Sequence, residues 1–382
     1  MKNKMKKNIL ITGGAGFIGS RLANLLICSG HNVKVLDNLS LQVHGEIPES
    51  SHLFLSLNPK VEFLKGCITD KKTVIKALDK IDTVIHLAAE TGTGQSMYAI
   101  QHYSDINIGG TAVLLDLIAN HPFPVKKIIV ASSRAVYGEG KYKCFNHGFI
   151  FPSSRTENNM SKGNFNLYCP LCNEIAVEIA TDESSQLKPA SIYGVTKLAQ
   201  EQMVLTVGKS LAIAAIALRY QNVYGPGQSL SNPYTGILSI FSNRIRNNKP
   251  INIFEDGNES RDFIYIDDVI SITKKFVEYN KKIVDAFNVG SGSATDVITI
   301  AKLLQKELKI DVPTIITGKF RVGDIRHNKA DLNKIENLLK INSYTDIKKG
   351  IKNFVKWVRA QKVNDDEFDK SIEILQKKGL FK

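Results

Sequence analysis

Short, mainly apolar runs alternate with helical patterns through the first 220 residues. The runs are NILIT, NVKVLD, VEFLKG, DTVIHLAA, KKIIVASS and AIAAIALRY. Between them lie GSRLANLLICSG, DKKTVIKALD, INIGGTAVLLDLIANH and SIYGVTKLAQEQMVLTVGKSL. Strands with one wet face alternate apolar and polar residues. Continuous apolar runs instead predict strands buried on both faces. Strands separated by helices then predict an α/β fold with a doubly wound parallel sheet, the Rossmann architecture. With 382 residues the chain is long enough for a second lobe.

The rhythm breaks once. Residues 139–188 are polar, rich in Gly and Asn, and without clear period, so they read as an irregular insert. The nucleotide-binding domain is therefore expected over 1–138 and 189–224. From 225 to 360 shorter, less regular segments predict a smaller C-terminal substrate-binding lobe. Residues 361–382 read as a charged tail forming a peripheral helix.

Composition is that of a soluble globular protein, with 43% hydrophobic and 23% charged residues. No apolar stretch approaches the roughly 18 residues a membrane helix needs. The basic start, MKNKMKK, runs into an apolar stretch too short for a signal peptide, so a cytoplasmic enzyme is expected. Net charge is +13, but the lysines are spread along the chain without a basic block. Nucleic acid and membrane are thus not expected partners, while a basic cleft for a diphosphate is compatible with the charge.

The segment ITGGAGFIGS follows the first strand and opens the first helix. Gly13 permits the tight turn, Gly16 lets backbone approach a pyrophosphate, and Gly19 lets the helix lie close to the strand. The helix N-terminus offers unpaired N–H groups to the phosphates. Asp37 ends the second strand, where a carboxylate accepts from ribose hydroxyls and repels a 2′-phosphate. NAD is therefore favoured over NADP. Phe17, Ile18, Asn38, Leu87, Ala88 and Ala89 are expected to line the same cofactor. Asp70 is a candidate for the adenine edge, and equally for a helix N-cap.

Tyr193 and Lys197 in SIYGVTK share one helix face. A phenol with a pKa near about 10 needs help to act as a base, and a neighbouring ammonium favours the phenolate. ASSRAVYG adds hydroxyls at Ser132 and Ser133.

Together, the glycine turn, Asp37, Ser133 and Tyr-x-x-x-Lys resemble the extended short-chain dehydrogenase/reductase family of sugar-nucleotide epimerases and dehydratases. The resemblance covers about residues 7–355 apart from the insert. It implies Ser133 as the catalytic hydroxyl, Tyr193 as the base and Lys197 as its activator and cofactor contact. It implies transient oxidation by NAD to a keto sugar, followed by hydride return to the other face. Arg134, Asn222, Phe254, Arg261 and Arg321 fall at substrate positions, the last two clamping a diphosphate. A nucleotide-diphosphate sugar is the implied substrate and a homodimer the implied assembly.

Family 4,6-dehydratases carry an Asp-Glu pair after the catalytic hydroxyl residue. Here Arg134 and Ala135 stand there, and neither does acid–base work at neutral pH. Epimerisation at carbon 4 is favoured, with dehydration, decarboxylation and a non-catalytic NAD-binding or RNA-binding role as weaker alternatives.

Five cysteines occur. Cys28 and Cys67 sit in apolar stretches and are expected to be inert core thiols. Cys144-x-x-His147 and Cys169-x-x-Cys172 in the insert form a Cys3His set with zinc-knuckle spacing. A structural zinc would supply folding energy that a polar insert lacks. A cysteine-bearing insert followed by RYQNVYGPGQSLSNPYTGILSIF resembles one branch of the family, the dTDP-L-rhamnose 4-epimerases, which make dTDP-6-deoxy-L-talose. UDP-hexose and UDP-uronate 4-epimerases are the alternative branches.

Overall fold

The computed structural model describes residues 6–234, 236–363 and 366–382; residues 1–5, most of the basic start, lie outside it. A seven-stranded sheet forms the centre. Its order is Val284–Val289, Ala214–Tyr220, Lys127–Ser133, Thr83–His86, Asn8–Thr12, Asn32–Asp37, Glu62–Lys65. Every pairing is parallel.

The strands are apolar on both faces, as their composition required. Ile9, Ile11, Val35, Ile129 and Leu218 pack on one side with Leu22 and Leu26 of the first helix. Leu10, Val84, Ile128, Val130 and Ala217 pack on the other with Leu114 and Leu117. Neighbouring strands Asn8–Thr12 and Thr83–His86 lie where the winding direction reverses, and such a crevice binds ligands beyond the strand ends.

The boundary expected at 225 is corrected. Val284–Val289 pairs with Ala214–Tyr220 and forms an edge of the central sheet. Residues 266–278 return as a helix packed on the first helix of the chain. The substrate lobe is thus built of interrupted pieces. Its sheets are Asn222–Tyr224 with Ser260–Tyr265 and Ala294–Asp296, and Ile251–Ile253 with Thr314–Ile316.

The insert is more ordered than its composition suggested. Tyr142–Cys144 pairs antiparallel with Gly148–Ile150 and Val177–Glu178. Tyr142, Cys144, Ile150, Leu167, Cys169 and Ala176 make a small core of their own. The tail is not peripheral. Its helix, Phe368–Lys377, buries Phe368 and Leu375, and Phe381 bridges to Arg321.

Candidate active site

One cavity of about 540 Å³ runs from the glycine turn to the substrate lobe. That is the size of a cofactor or ligand site. At one end Gly13 has φ +67°, and a Cβ there would sit 2.7 Å from the Ala88 backbone nitrogen. Only glycine allows this approach. A Cβ at Gly19 would meet Gly14 at 2.5 Å, so glycine also permits the close seat of helix on strand. Gly16 opens the helix Phe17–Cys28 without a side-chain cap, which leaves its first N–H groups to the cavity. Asp37 is buried, and its carboxylate accepts from Ala15 N at 3.0 Å and Leu39 N at 2.8 Å. A carboxylate has lone pairs beyond these for a ribose. These features fit a dinucleotide.

Phe17, Ile18, Asn38, Leu87, Ala88 and Ala89 all line the cavity. Asp70 does not. Its side chain caps the helix Lys71–Leu78, accepting from Lys72 N and the Thr73 hydroxyl. The cap reading is the one its contacts support. Two further expectations fail: Cys28 is exposed, and Cys67 lines the cavity rather than the core. His44, unremarked in the sequence, is buried 4.0 Å from Asp37 and bonded to Ser51 Oγ at 2.8 Å. No periodic pattern marks it: it ends the short helix Leu41–His44, which folds back toward the strand that finishes at Asp37.

Ser133, Tyr193 and Lys197 all line the cavity, and Ser133 hydrogen-bonds Tyr193. Tyr193 and Lys197 share the helix Ile192–Ser210, whose start is capped by Ser191 Oγ accepting from Gly194 N at 3.1 Å. Such a cap is worth about 1 kcal/mol. Ser133 ends a central strand, so strand and helix fix the three groups independently. Ser132, its neighbour, is turned away and donates to Glu201 at 2.5 Å. Ser133 is therefore the hydroxyl beside Tyr193. Burial raises the Tyr193 pKa, while the Ser133 hydrogen bond and the Arg134 charge act to lower it.

Lys197 donates to Ala131 O at 2.7 Å and Gln200 Oε1 at 2.9 Å, and burial lowers its pKa to about 7. Gln200 in turn donates to Thr111 Oγ1 at 2.8 Å and reaches His86 Nε2 at 3.2 Å. Burial holds His86 neutral, with a pKa of about 3. A fully buried polar network thus aims the lysine.

Toward the substrate lobe, Arg134 Nε donates to Asn222 Oδ1 at 3.0 Å. Burial, and the like charge of Arg261, lower the Arg134 pKa to about 10. Arg261 and Arg321 also line the cavity, but Asp324, unmarked in the sequence, binds both. Arg261 Nη2 lies 3.2 Å and Arg321 Nη2 3.1 Å from it. Arg261 spends its terminal nitrogens further on the Ser260, Ile325 and Arg326 carbonyls. Arg321 keeps its Nε without a partner among the described residues, and its guanidinium lies over the Phe254 ring at 5.3 Å. Both arginines thus line the cavity, with Arg261 committed to more protein partners than Arg321.

In the insert, the Cys144, Cys169 and Cys172 sulfurs and a His147 ring nitrogen lie within 4.8 Å of one another. Cys144 Sγ is 3.6 Å from Cys172 Sγ and 3.7 Å from His147 Nδ1; Cys169 Sγ is 3.5 Å from the same nitrogen. No insert residue lines the cavity. The insert reaches it through buried Arg155, which bonds Glu139 at 3.1 Å, Glu255 at 2.6 Å and the Asp324 carbonyl at 3.1 Å.

Residues 9–158 and 170–290 match the model of the NAD dependent epimerase/dehydratase family. The chain belongs to that family. It is an enzyme of the NAD-dependent nucleotide-sugar epimerase type. The gap in the match falls inside the insert. A dTDP-L-rhamnose 4-epimerase of Burkholderia thailandensis is 34% identical over 93% of this chain and 96% of its own. The UDP-glucose 4-epimerase of Thermotoga maritima, solved with UDP-glucose, superposes with a TM-score of 0.75 at 28% identity, covering 92% and 99% of the two chains. The UDP-glucuronic acid 4-epimerase of Bacillus cereus, solved with UDP-glucuronic acid and NAD, gives 0.74 at 27% over the same shares. No helix among the described residues is long and apolar enough to cross a membrane.

Proposed function

We propose that this family member is a nucleotide-sugar 4-epimerase, with dTDP-L-rhamnose as the leading substrate and dTDP-6-deoxy-L-talose as its product. The observation that carries the reaction type is the meeting of Ser133, Tyr193 and Lys197 in a cavity where Arg134 and Ala135 replace an acid pair. Expelling water from carbon 6 needs an acid and a base beside that carbon. The similarity to the Burkholderia enzyme supports the sugar. UDP-hexose and UDP-uronate 4-epimerases share the fold, and they are the second reading.

The glycine turn, Asp37 and Lys197 would hold NAD, which when bound would supply the hydride acceptor. Tyr193 withdraws the carbon-4 hydroxyl proton, Ser133 shares that hydrogen bond, and the Lys197 charge favours the phenolate. The 4-keto sugar turns about its diphosphate link, anchored at Arg321. Tyr193 then returns the proton to the oxygen of the inverted carbon. Proton and hydride both return, so the reaction balances without net oxidation.

The insert is assigned a structural zinc. Tetrahedral zinc with bonds of about 2.3 Å to sulfur and 2.0 Å to nitrogen sets its ligand atoms about 3.5–3.8 Å apart. The three separations above lie in that range. Four protein ligands leave no open position, so the metal does no chemistry on the sugar.

The deciding experiment is NMR of the purified protein with NAD and a panel of dTDP- and UDP-sugars that includes dTDP-L-rhamnose. Conversion of dTDP-L-rhamnose to its carbon-4 epimer supports the proposal. Turnover of a UDP-sugar alone moves the assignment to the second reading, and an accumulating keto product refutes epimerisation.

A further inference from the structure

Charge interactions and contacts along the cavity give its order. Tyr193 lies near Arg134, Arg134 near Asp324, Asp324 holds Arg321, and Arg321 lies over Phe254. The reacting sugar sits at Tyr193 and the diphosphate at Arg321. The nucleobase must then lie beyond Arg321, where the wall changes from charged to aromatic.

That wall is shared between distant parts of the chain. Phe254 faces Phe368 with ring centroids 6.3 Å apart and planes inclined by only 18°. Phe381 packs edge-on against Phe254 at 4.9 Å. Phe368 lines the cavity, whereas the family match ends at residue 290. We infer that residues 366–382 complete the nucleobase end of the substrate cleft, with Phe368 as a base-contacting residue that sets affinity and base preference. The inference rests on the nucleotide-sugar reading above.

The segment is built to hold this place. Phe320 N donates to Lys382 O at 2.8 Å, Lys382 N to Phe320 O at 3.1 Å, and Val322 N to Leu380 O at 3.0 Å. The backbone around Arg321 is thus strapped to the segment. Arg244 lies over the Phe368 ring at 5.0 Å and pairs with Asp366 at 3.0 Å and Asp369 at 2.7 Å. On the opposite lobe, Lys378 lies over the Tyr98 ring at 5.1 Å. The segment therefore links the substrate lobe to the nucleotide-binding domain. A flat base offers π faces to phenyl rings and polar edges to Asn252, which also lines this end. A base stacks on aromatic faces of this kind, whereas a phosphate finds no partner on them.

The test is calorimetric titration of the full NAD-loaded chain with dTDP, UDP and inorganic pyrophosphate. Phe368→Ala removes the ring, and Phe368→Leu keeps apolar bulk without a π face. Both are expected to weaken dTDP binding about tenfold or more. Pyrophosphate affinity and NAD content should stay unchanged, and KM for the sugar nucleotide should rise with little change in kcat. If Phe368→Ala fails to fold, Phe368→Leu decides alone. Unchanged dTDP affinity in a folded variant overturns the inference. So does an equal loss for dTDP and pyrophosphate, since the segment would then only brace Arg321. A wild-type chain that binds dTDP but epimerises no sugar refutes the assigned reaction and leaves this inference standing. Binding of neither dTDP nor UDP overturns both.

Discussion

Arg155 Nη1 lies 2.6 Å from Glu255 Oε2, with both side chains almost completely shielded from water. This contact ties the insert to the substrate lobe. Arg155 also bonds Glu139 and the Asp324 carbonyl, and Asp324 holds Arg321. The insert therefore acts on the cavity at one remove. Replacing Arg155 with Met should strand buried carboxylates at a cost of about 3–5 kcal/mol. Denaturant unfolding would show the loss. Folded variant should also show a raised KM, because the Asp324 backbone is released.

Tyr193→Phe keeps the ring and removes the proton acceptor. Epimerisation should fall by at least about 10²-fold, the scale of general base catalysis. NAD content, measured after denaturing the purified protein, should match wild type. Near-normal activity would exclude Tyr193 as the base.

Burial pushes Lys197 down to about 7, below the ordinary lysine value of about 10.4. The folded chain then binds fewer protons than the unfolded chain between those two values, so stability should rise with pH across that window. Below about pH 7 both states carry the proton, and the penalty of burying the charge is fully present. Lys197→Met should flatten this rise. Thermal midpoints of nucleotide-stripped wild type and variant, measured from pH 6.5 to about 9.5, give the comparison; parallel curves would refute it.

Asp70 caps a helix and stands outside the cavity lining. Asp70→Ala should lower the thermal midpoint slightly and leave NAD affinity untouched. A marked loss of NAD affinity would restore its adenine role.

Metal analysis of the purified chain should find one zinc per molecule. Cys169→Ser and Cys172→Ser should each lose it, and strong chelation should expose the insert to protease before the central sheet. A metal-free protein with a protected insert would contradict the zinc assignment.

Much of this protein is local and so can be read along the chain. Strands apolar on both faces, the ITGGAGFIGS turn, and Tyr193 four residues before Lys197 all express a period of two or of 3.6 residues, or a backbone turn that only glycine makes. The clustered cysteines are of the same kind, because their Cys-x-x-His and Cys-x-x-Cys spacings are short. These features determined the fold class and marked the candidate cofactor and catalytic groups.

Tertiary structure decided the rest. Val284–Val289 joins the central sheet because its partner strand had an unpaired edge, a fact no local pattern carries. Arg261 and Arg321 have the right chemistry for phosphate, yet only the tertiary contacts show that Arg261 is committed to more protein partners. The charged composition of residues 361–382 hid Phe368 and Phe381, whose burial against Phe254 joins residues more than 100 positions apart. Local periodicity reports which face of an element is dry. Only packing reports what that face is dry against.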